Sequence, residues 1–364
     1  MKAAILNANE GRFDIEQVAI DTAKGHEVLV EVKAAGLCHS DLHLAEANYG
    51  TPLPAVLGHE LAGVVKALGP DVTDFEVGDH VVGSLVQFCG HCFPCLDGRT
   101  YQCDHPEETM RPAEQGQRLT RAADGAPVYP GFGTAAFAEM ALVHQNQLVR
   151  VPKELPFPQA SLLGCSVITG AGAAINTAQV RPGDSVVVIG AGGVGLNAIA
   201  GAKLAGAAHI IAVDAQPQKE ALARKFGATD FIDAHATNAL EAVRTQFPGG
   251  VDHAFEIIGL VPTSEQAVAM VRKGGGAYLI GLHRPGVSMA VSGLDLIVRQ
   301  VELRGVYMGS SNIKQDIPMF AELYLQGRYN LDDLVSREVN IAEINEAYED
   351  LKHGAVARTV ITSF

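Results

Sequence analysis

Cys89, Cys92, Cys95 and Cys103 stand close together in this chain with the spacing C-x2-C-x2-C-x7-C. Four thiolates with no spare ligand are the donor set of a closed, structural tetrahedral zinc site, and that requirement constrains the fold of the chain more than any other feature. The remaining two of the six cysteines, Cys38 and Cys165, lie far apart in sequence with His59 between them. A Cys/His/Cys set lacks a fourth protein ligand, and on zinc such a vacancy is where chemistry takes place. Two Zn2+ per chain, one structural and one catalytic, account for every thiol.

With 364 residues, 48% of them hydrophobic and 19% charged, the chain suits two well-packed domains and is too apolar for disorder. Its formal net charge of −14 argues against nucleic-acid and anionic-membrane partners, which need a basic face. The opening stretch MKAAILNANEGRFDI has no clustered basic residues and no apolar run, so no secretory signal is read there. Clustered cysteines without such a signal favour metal binding over disulfides, and the expected location is a reducing cytoplasm. Residues 186–213 are apolar enough to suggest a membrane span. Their glycines and the surrounding α/β pattern predict a packed strand-turn-helix instead.

The first 155 or so residues read as β-rich, with apolar alternation at 27–34 and a short apolar run at 61–68. Residues 104–131 are polar and rich in Gly and Pro, and are expected to form a surface excursion. From about 166 strands and helices alternate, with strands expected at 185–189, 209–213, 230–232, 252–257 and 277–280. A helix is expected at 218–226, stopped by Gly227. This rhythm predicts a parallel sheet covered on both faces. The tail ends in a β-like segment, 358–362, expected to return to the first domain.

Directly after the first of those strands comes Gly190-Ala191-Gly192-Gly193-Val194-Gly195, a G-x-G-x-x-G that opens a helix. The first glycine permits a tight turn, the second lets a pyrophosphate approach the backbone, and the third lets helix and strand pack closely. The phosphates then lie on amides of the helix N-terminus. Asp214 follows Gly195 at the distance where a carboxylate receives ribose hydroxyls, and no arginine follows it in residues 215–218. The expected cofactor is therefore NAD(H) rather than NADP(H).

Gly36-Leu37-Cys38-His39-Ser40-Asp41, Gly58-His59-Glu60, the four-cysteine segment, Gly164-Cys165 with Thr169-Gly170, and the glycine fingerprint occur in that order. In this the chain resembles the zinc-dependent medium-chain alcohol dehydrogenases over essentially its whole length. The resemblance implies an α/β fold: a β-rich, GroES-like catalytic domain at 1–166 and 308–364, and a doubly wound Rossmann domain at 167–307. It implies hydride transfer between a primary or secondary alcohol and NAD+, giving an aldehyde or ketone. Zinc held by two thiolates and one imidazole would let an alcohol in the fourth position lose its proton near neutral pH.

Several further roles come from the resemblance alone. Glu60 lies near the catalytic metal and exchanges with its open position, and Asp41 holds the His59 ring. Ser40 takes the alcohol proton, which leaves through the cofactor ribose and His43. His39, Lys219, Arg358, Thr169 and Val194 belong to the cofactor's surroundings. Leu85, Phe132 and Ile280 line the substrate cleft. Leu85 replaces a bulkier aromatic and Gly131 leaves room, so the expected pocket is wide and apolar. It would suit medium-chain, terpenoid or benzylic alcohols rather than ethanol. Tyr49 and Thr51 disfavour the glutathione-linked formaldehyde dehydrogenase branch, and Cys165 disfavours the polyol dehydrogenases. Residues 309–312 and 316–318 are similar to the branch that keeps NAD bound through turnover, which stays open as an alternative. From another class, a non-catalytic zinc- and NAD-binding redox sensor is set against the complete ligand set, Ser40 and His43. A homodimer or homotetramer is implied.

Overall fold

The computed structural model describes residues 1–354 and 357–364. The chain forms two compact units, Met1–Ser166 with Asn312–Phe364, and Val167–Ser311. The second boundary falls four residues beyond the 307/308 junction expected from sequence.

In the first unit, strand Glu27–Gly36 buries nearly every alternate side chain and pairs with Glu60–Leu68, Met140–His144 and Arg358–Ser363. The C-terminal strand therefore does return to this unit. The sheet continues outward through His80–Gly83 and Leu148–Arg150 on one side and Val335–Asn340 on the other. A closed barrel joins Lys2–Leu6, Asp14–Ile20, Leu119–Arg121, Pro127–Pro130 and Ala55–Val56. Phe13 anchors the core between Tyr348, stacked at 5.4 Å, and Phe137, edge-on at 6.0 Å.

Two barrel strands lie inside residues 104–131, so the expected surface excursion is corrected: Leu119 and Val128 are core residues. Its charges misled because they are paired internally. The guanidinium of Arg118 donates to Glu27 Oε1 at 2.6 Å and to the Thr109 carbonyl at 2.7 Å, and Arg111 also donates to Glu27.

The second unit is a parallel sheet in the order Asp230–Asp233, His209–Asp214, Ser185–Ile189, Val251–Glu256, Val271–Leu279, Glu302–Gly305. In chain order that is 3-2-1-4-5-6, the doubly wound arrangement with its crevice at the carboxyl end of the first strand. The strand from 271 begins earlier than expected, and Glu302–Gly305 escaped sequence analysis because this edge strand is largely exposed and lacks an apolar run. Residues 186–213 are strand, helix Gly193–Ala205 and strand, as the packed reading requires. Among the described residues one helix is long and apolar enough to cross a membrane, Phe157–Thr177, and 89% of its apolar window is buried.

Candidate metal and cofactor sites

Cys38 stands immediately before helix His39–Glu46, whose first turns carry Ser40, Asp41 and His43. His59 directly precedes strand Glu60–Leu68. Cys165 sits on a π-helical turn, Leu163–Val167, that interrupts helix Phe157–Thr177. Such turns insert one extra residue and recur at functional sites. Small residues make these placements possible. A β-carbon on Gly164 would stand 2.1 Å from the Gly83 carbonyl oxygen, and one on Gly36 would stand 2.1 Å from Glu60 Oε2. Glycine at 164 thus lets the helix rest on a strand and turn the neighbouring thiol inward.

Cys38, His59 and Cys165 are all buried, with their ligand atoms within 4.8 Å of one another. Asp41 Oδ1 receives the Gly58 amide at 3.0 Å and lies 3.1 Å from His59 Nδ1. That contact fixes the tautomer: Nδ1–H donates to the carboxylate, leaving the Nε2 lone pair directed away from Asp41. Nε2 is buried without a hydrogen-bond partner among the described residues. A buried unpartnered imidazole nitrogen beside two sulfurs fits a zinc ion.

The two sulfurs are pushed in opposite directions. A hydrogen bond from Cys165 holds Cys38 well below the usual thiol range, against burial and with Arg358 assisting. The same bond, with burial, pushes Cys165 up. Metal binding would displace the remaining proton. Ser40 is linked to this group by the Cys38 sulfur, 3.7 Å from its Oγ. His39 and His43 lie one helical turn apart with ring centroids at 6.5 Å.

Glu60 lies outside the three-residue ligand group. Its Oε1 receives the Ser166 amide at 3.2 Å and faces Arg358 Nη2 at 3.3 Å, while Oε2 is buried and unpartnered among the described residues. Burial raises Glu60 to about 7 even though Arg358 opposes the shift. Arg358 is 2% exposed, with Nη2 also 3.8 Å from the Cys38 sulfur. The family resemblance placed this cation at the cofactor phosphates; the fold sets it beside the Cys38 sulfur and Glu60. Phe132, held at φ 55°, places its ring 4.8 Å from that of His59, and Leu85 is buried in the same unit. Gly131 does not create room: a β-carbon there would meet Leu57 Cδ2 at 2.7 Å and the Val56 carbonyl oxygen at 2.9 Å. Backbone packing, rather than pocket width, accounts for that glycine.

The four-cysteine segment forms a separate lobe around the short helix Phe93–Leu96. Cys89 and Cys95 sulfurs are 3.9 Å apart, and those of Cys92 and Cys103 are 3.8 Å apart. A tetrahedron with zinc–sulfur bonds of about 2.3 Å has edges of about 3.8 Å, so the lobe is already spaced for the ion. Backbone amides of Cys89 and His105 donate to the Cys103 sulfur, and that of Cys92 donates to the Cys89 sulfur. These bonds orient the Cys89 and Cys103 sulfurs, although burial still pushes the Cys103 thiol up.

In the second unit the fingerprint glycines 190 and 195 meet the backbone demands of the turn and the helix–strand packing. Gly190 adopts φ 102°, and a β-carbon on Gly195 would stand only 1.8 Å from the Gly190 carbonyl oxygen. At Gly192 a β-carbon would meet nothing within 4 Å, which leaves the approach to the amides of helix Gly193–Ala205 clear. Asp214 receives the Ala191 amide at 2.8 Å and the Lys219 ammonium at 3.1 Å on Oδ2, and the Gln216 amide at 3.0 Å on Oδ1. It therefore also ties the second strand to the fingerprint turn, a role the motif alone did not reveal. Thr169 is buried here against Met308, and Ile280 follows strand Val271–Leu279.

Residues 24–153 match the family model described as alcohol dehydrogenase GroES-like domain, and residues 193–323 match zinc-binding dehydrogenase. An NDMA-dependent alcohol dehydrogenase of Amycolatopsis methanolica is 36% identical, covering 99% of this chain and 98% of the relative. A geraniol dehydrogenase of Castellaniella defragrans is 33% identical, covering 99% of this chain and 97% of the relative. The solved benzyl alcohol dehydrogenase of Acinetobacter calcoaceticus superposes with TM-score 0.93 at 35% identity, covering 100% of this chain and 99% of that one.

Proposed function

The chain belongs to the zinc-dependent medium-chain alcohol dehydrogenases and is a dehydrogenase of that family; on this premise we propose that it oxidises primary or secondary alcohols to aldehydes or ketones with NAD+, holding two zinc ions per chain. The observation that carries the proposal is the buried convergence of Cys38, His59 and Cys165, with Asp41 fixing His59 so that Nε2 is free to ligate. These three residues would hold the catalytic ion, and Cys89, Cys92, Cys95 and Cys103 the structural one. Bound zinc supplies Lewis acidity, lowering the pKa of an alcohol hydroxyl. Ser40 would take up that proton as it hands its own hydroxyl proton on towards His43, which would release one to water. Arg358 opposes the accumulated negative charge of the buried sulfurs and Glu60.

NAD rather than NADP is supported by the anionic Asp214 and by the absence of arginine in residues 215–218. Aromatic, terpenoid and medium-chain alcohols are supported by the apolar Leu85 and Phe132 and by the two relatives named for benzyl alcohol and geraniol. Each methylene buried in such a pocket would contribute about 0.8 kcal/mol. A homo-oligomer is supported by the edge strand Glu302–Gly305 and by Leu294, Ile297 and Val298, which are 70%, 76% and 63% exposed. Its location would be cytoplasmic.

The test is NADH formation across an alcohol panel with either dinucleotide. Benzyl alcohol, geraniol and hexanol should show higher kcat/KM than ethanol, and NAD+ should outperform NADP+. A preference for ethanol would overturn the substrate reading, and a preference for NADP+ would overturn the cofactor reading. Dinucleotide retained through extensive dialysis would support the permanently bound alternative.

A further inference from the structure

The lobe offers a second donor set that shares only the Cys89 sulfur with the four-thiolate site. Cys89, His91 and Glu108 present a sulfur, a ring nitrogen and a carboxylate oxygen within 4.8 Å of one another. His91 Nε2 stands 2.7 Å from Glu108 Oε2, with the two side chains 65% and 46% exposed. The His105 ring stacks on that of His91 at 6.4 Å, and its Nδ1 lies 3.4 Å from Glu107. Cys89 is half-buried, whereas Cys92 and Cys95 are buried. One side of Cys89 thus faces the three other sulfurs, and the other meets an imidazole and a carboxylate at the surface.

An exposed His–Glu pair alone is worth little. Its meaning here comes from the thiolate within reach of both groups, because sulfur, imidazole and carboxylate together are a zinc donor set. Around zinc, nitrogen and oxygen ligands sit about 3.3 Å apart, so the pair has to open by roughly half an ångström, a small adjustment for exposed side chains. Water completes four-coordination. A thiolate sulfur has lone pairs for two metals, so Cys89 can belong to both sets. We propose that His91 and Glu108, with the Cys89 sulfur, form an outer Zn2+ site through which the ion enters and leaves the four-thiolate site. The transfer is ligand exchange without electron transfer. His91 and Glu108 let go one at a time as Cys103, Cys92 and Cys95 bind, each thiol giving its proton to solvent.

This inference rests on the four-thiolate site holding zinc, and metal analysis of the purified enzyme tests that first. Two zinc ions per chain, with one lost in Cys95→Ser, are required before the outer site is in question. The holoenzyme and a His91→Ala/Glu108→Gln variant are then incubated with Cd2+. Cadmium NMR separates a four-thiolate from a two-thiolate site by chemical shift. The variant should fill its lobe with cadmium roughly ten-fold more slowly or worse, with unchanged zinc content, melting temperature and turnover beforehand. Equilibrium dialysis against Zn2+ should show one further, weaker equivalent on the unmodified enzyme that the variant lacks. Equal exchange rates, or no further equivalent on the unmodified enzyme, would overturn the outer site while leaving the structural zinc intact.

Discussion

The two cysteine groups of the first unit are built in opposite ways. The lobe draws its four ligands from one short segment and exposes two of them in part. The Cys38–His59–Cys165 group assembles ligands from a helix start, a strand start and a π-helical turn, and buries all three. Two of its ligands lean on neighbours outside the set: His59 on Asp41, and Cys38 on Arg358. The lobe instead orients its sulfurs with its own backbone amides. A local site can therefore be lost without disturbing distant chemistry, whereas the assembled site depends on the packing of the whole unit.

That contrast can be broken or sharpened by mutation. The largest effect is expected for Cys165→Ser, which should remove one zinc and nearly all turnover while the melting temperature changes little. Cys95→Ser should also remove one zinc, but activity should fall chiefly because the protein unfolds at lower temperature. Metal analysis, calorimetry and NADH formation on the two variants compare them directly. Interchangeable phenotypes would erase the distinction between the two sites. Next comes Asp41→Asn, expected to cost about 10- to 100-fold in zinc affinity or kcat, as loss of a ligand-orienting carboxylate does elsewhere. Titration with a chelator would read it.

The effect that is smallest at neutral pH, and grows only as the solution turns acid, concerns the root of the lobe. His144 Nδ1 receives the Asn146 amide, and the Asn146 side chain donates to the carbonyls of Phe88 and Cys89. Burial, with His26 and Arg118 adding to it, lowers His144 from its ordinary 6.5 to about 4. Between those values the unfolded chain binds a proton that the folded chain refuses. Stability from this residue is thus complete above the unfolded value and is lost as pH falls toward 4, by up to about 3 kcal/mol. Denaturant titrations of His144→Gln should show a flatter pH dependence over that window.

The same contrast explains what was legible in the sequence. Spacing alone exposed the lobe, because its ligands are neighbours. The Rossmann strands were legible because buried parallel strands such as Ser185–Ile189 are continuous apolar runs. Cys38, His59 and Cys165 were legible only from the two thiols left over by the lobe and from family resemblance, since no spacing rule links residues so far apart. Strand Leu119–Arg121 was hidden by charges whose partners are elsewhere in the chain, as with Arg118 and Glu27. Gly131 misled for a related reason: the absence of a side chain says nothing about whether backbone or ligand fills the space. His91 and Glu108 gave no signal because their relation to Cys89 arises only when the lobe closes.

The π-helical turn under Cys165 makes this enzyme unequally tolerant of change. Each residue of an α-helix advances the side chain by about 100° around the axis. Removing a single residue between Phe157 and Gly164 would swing the thiol away from its two partners, even though every neighbour kept its polarity and size. Homologous chains should therefore vary freely in composition along this stretch while keeping its length, and a length change there should mark a lineage that has abandoned the chemistry.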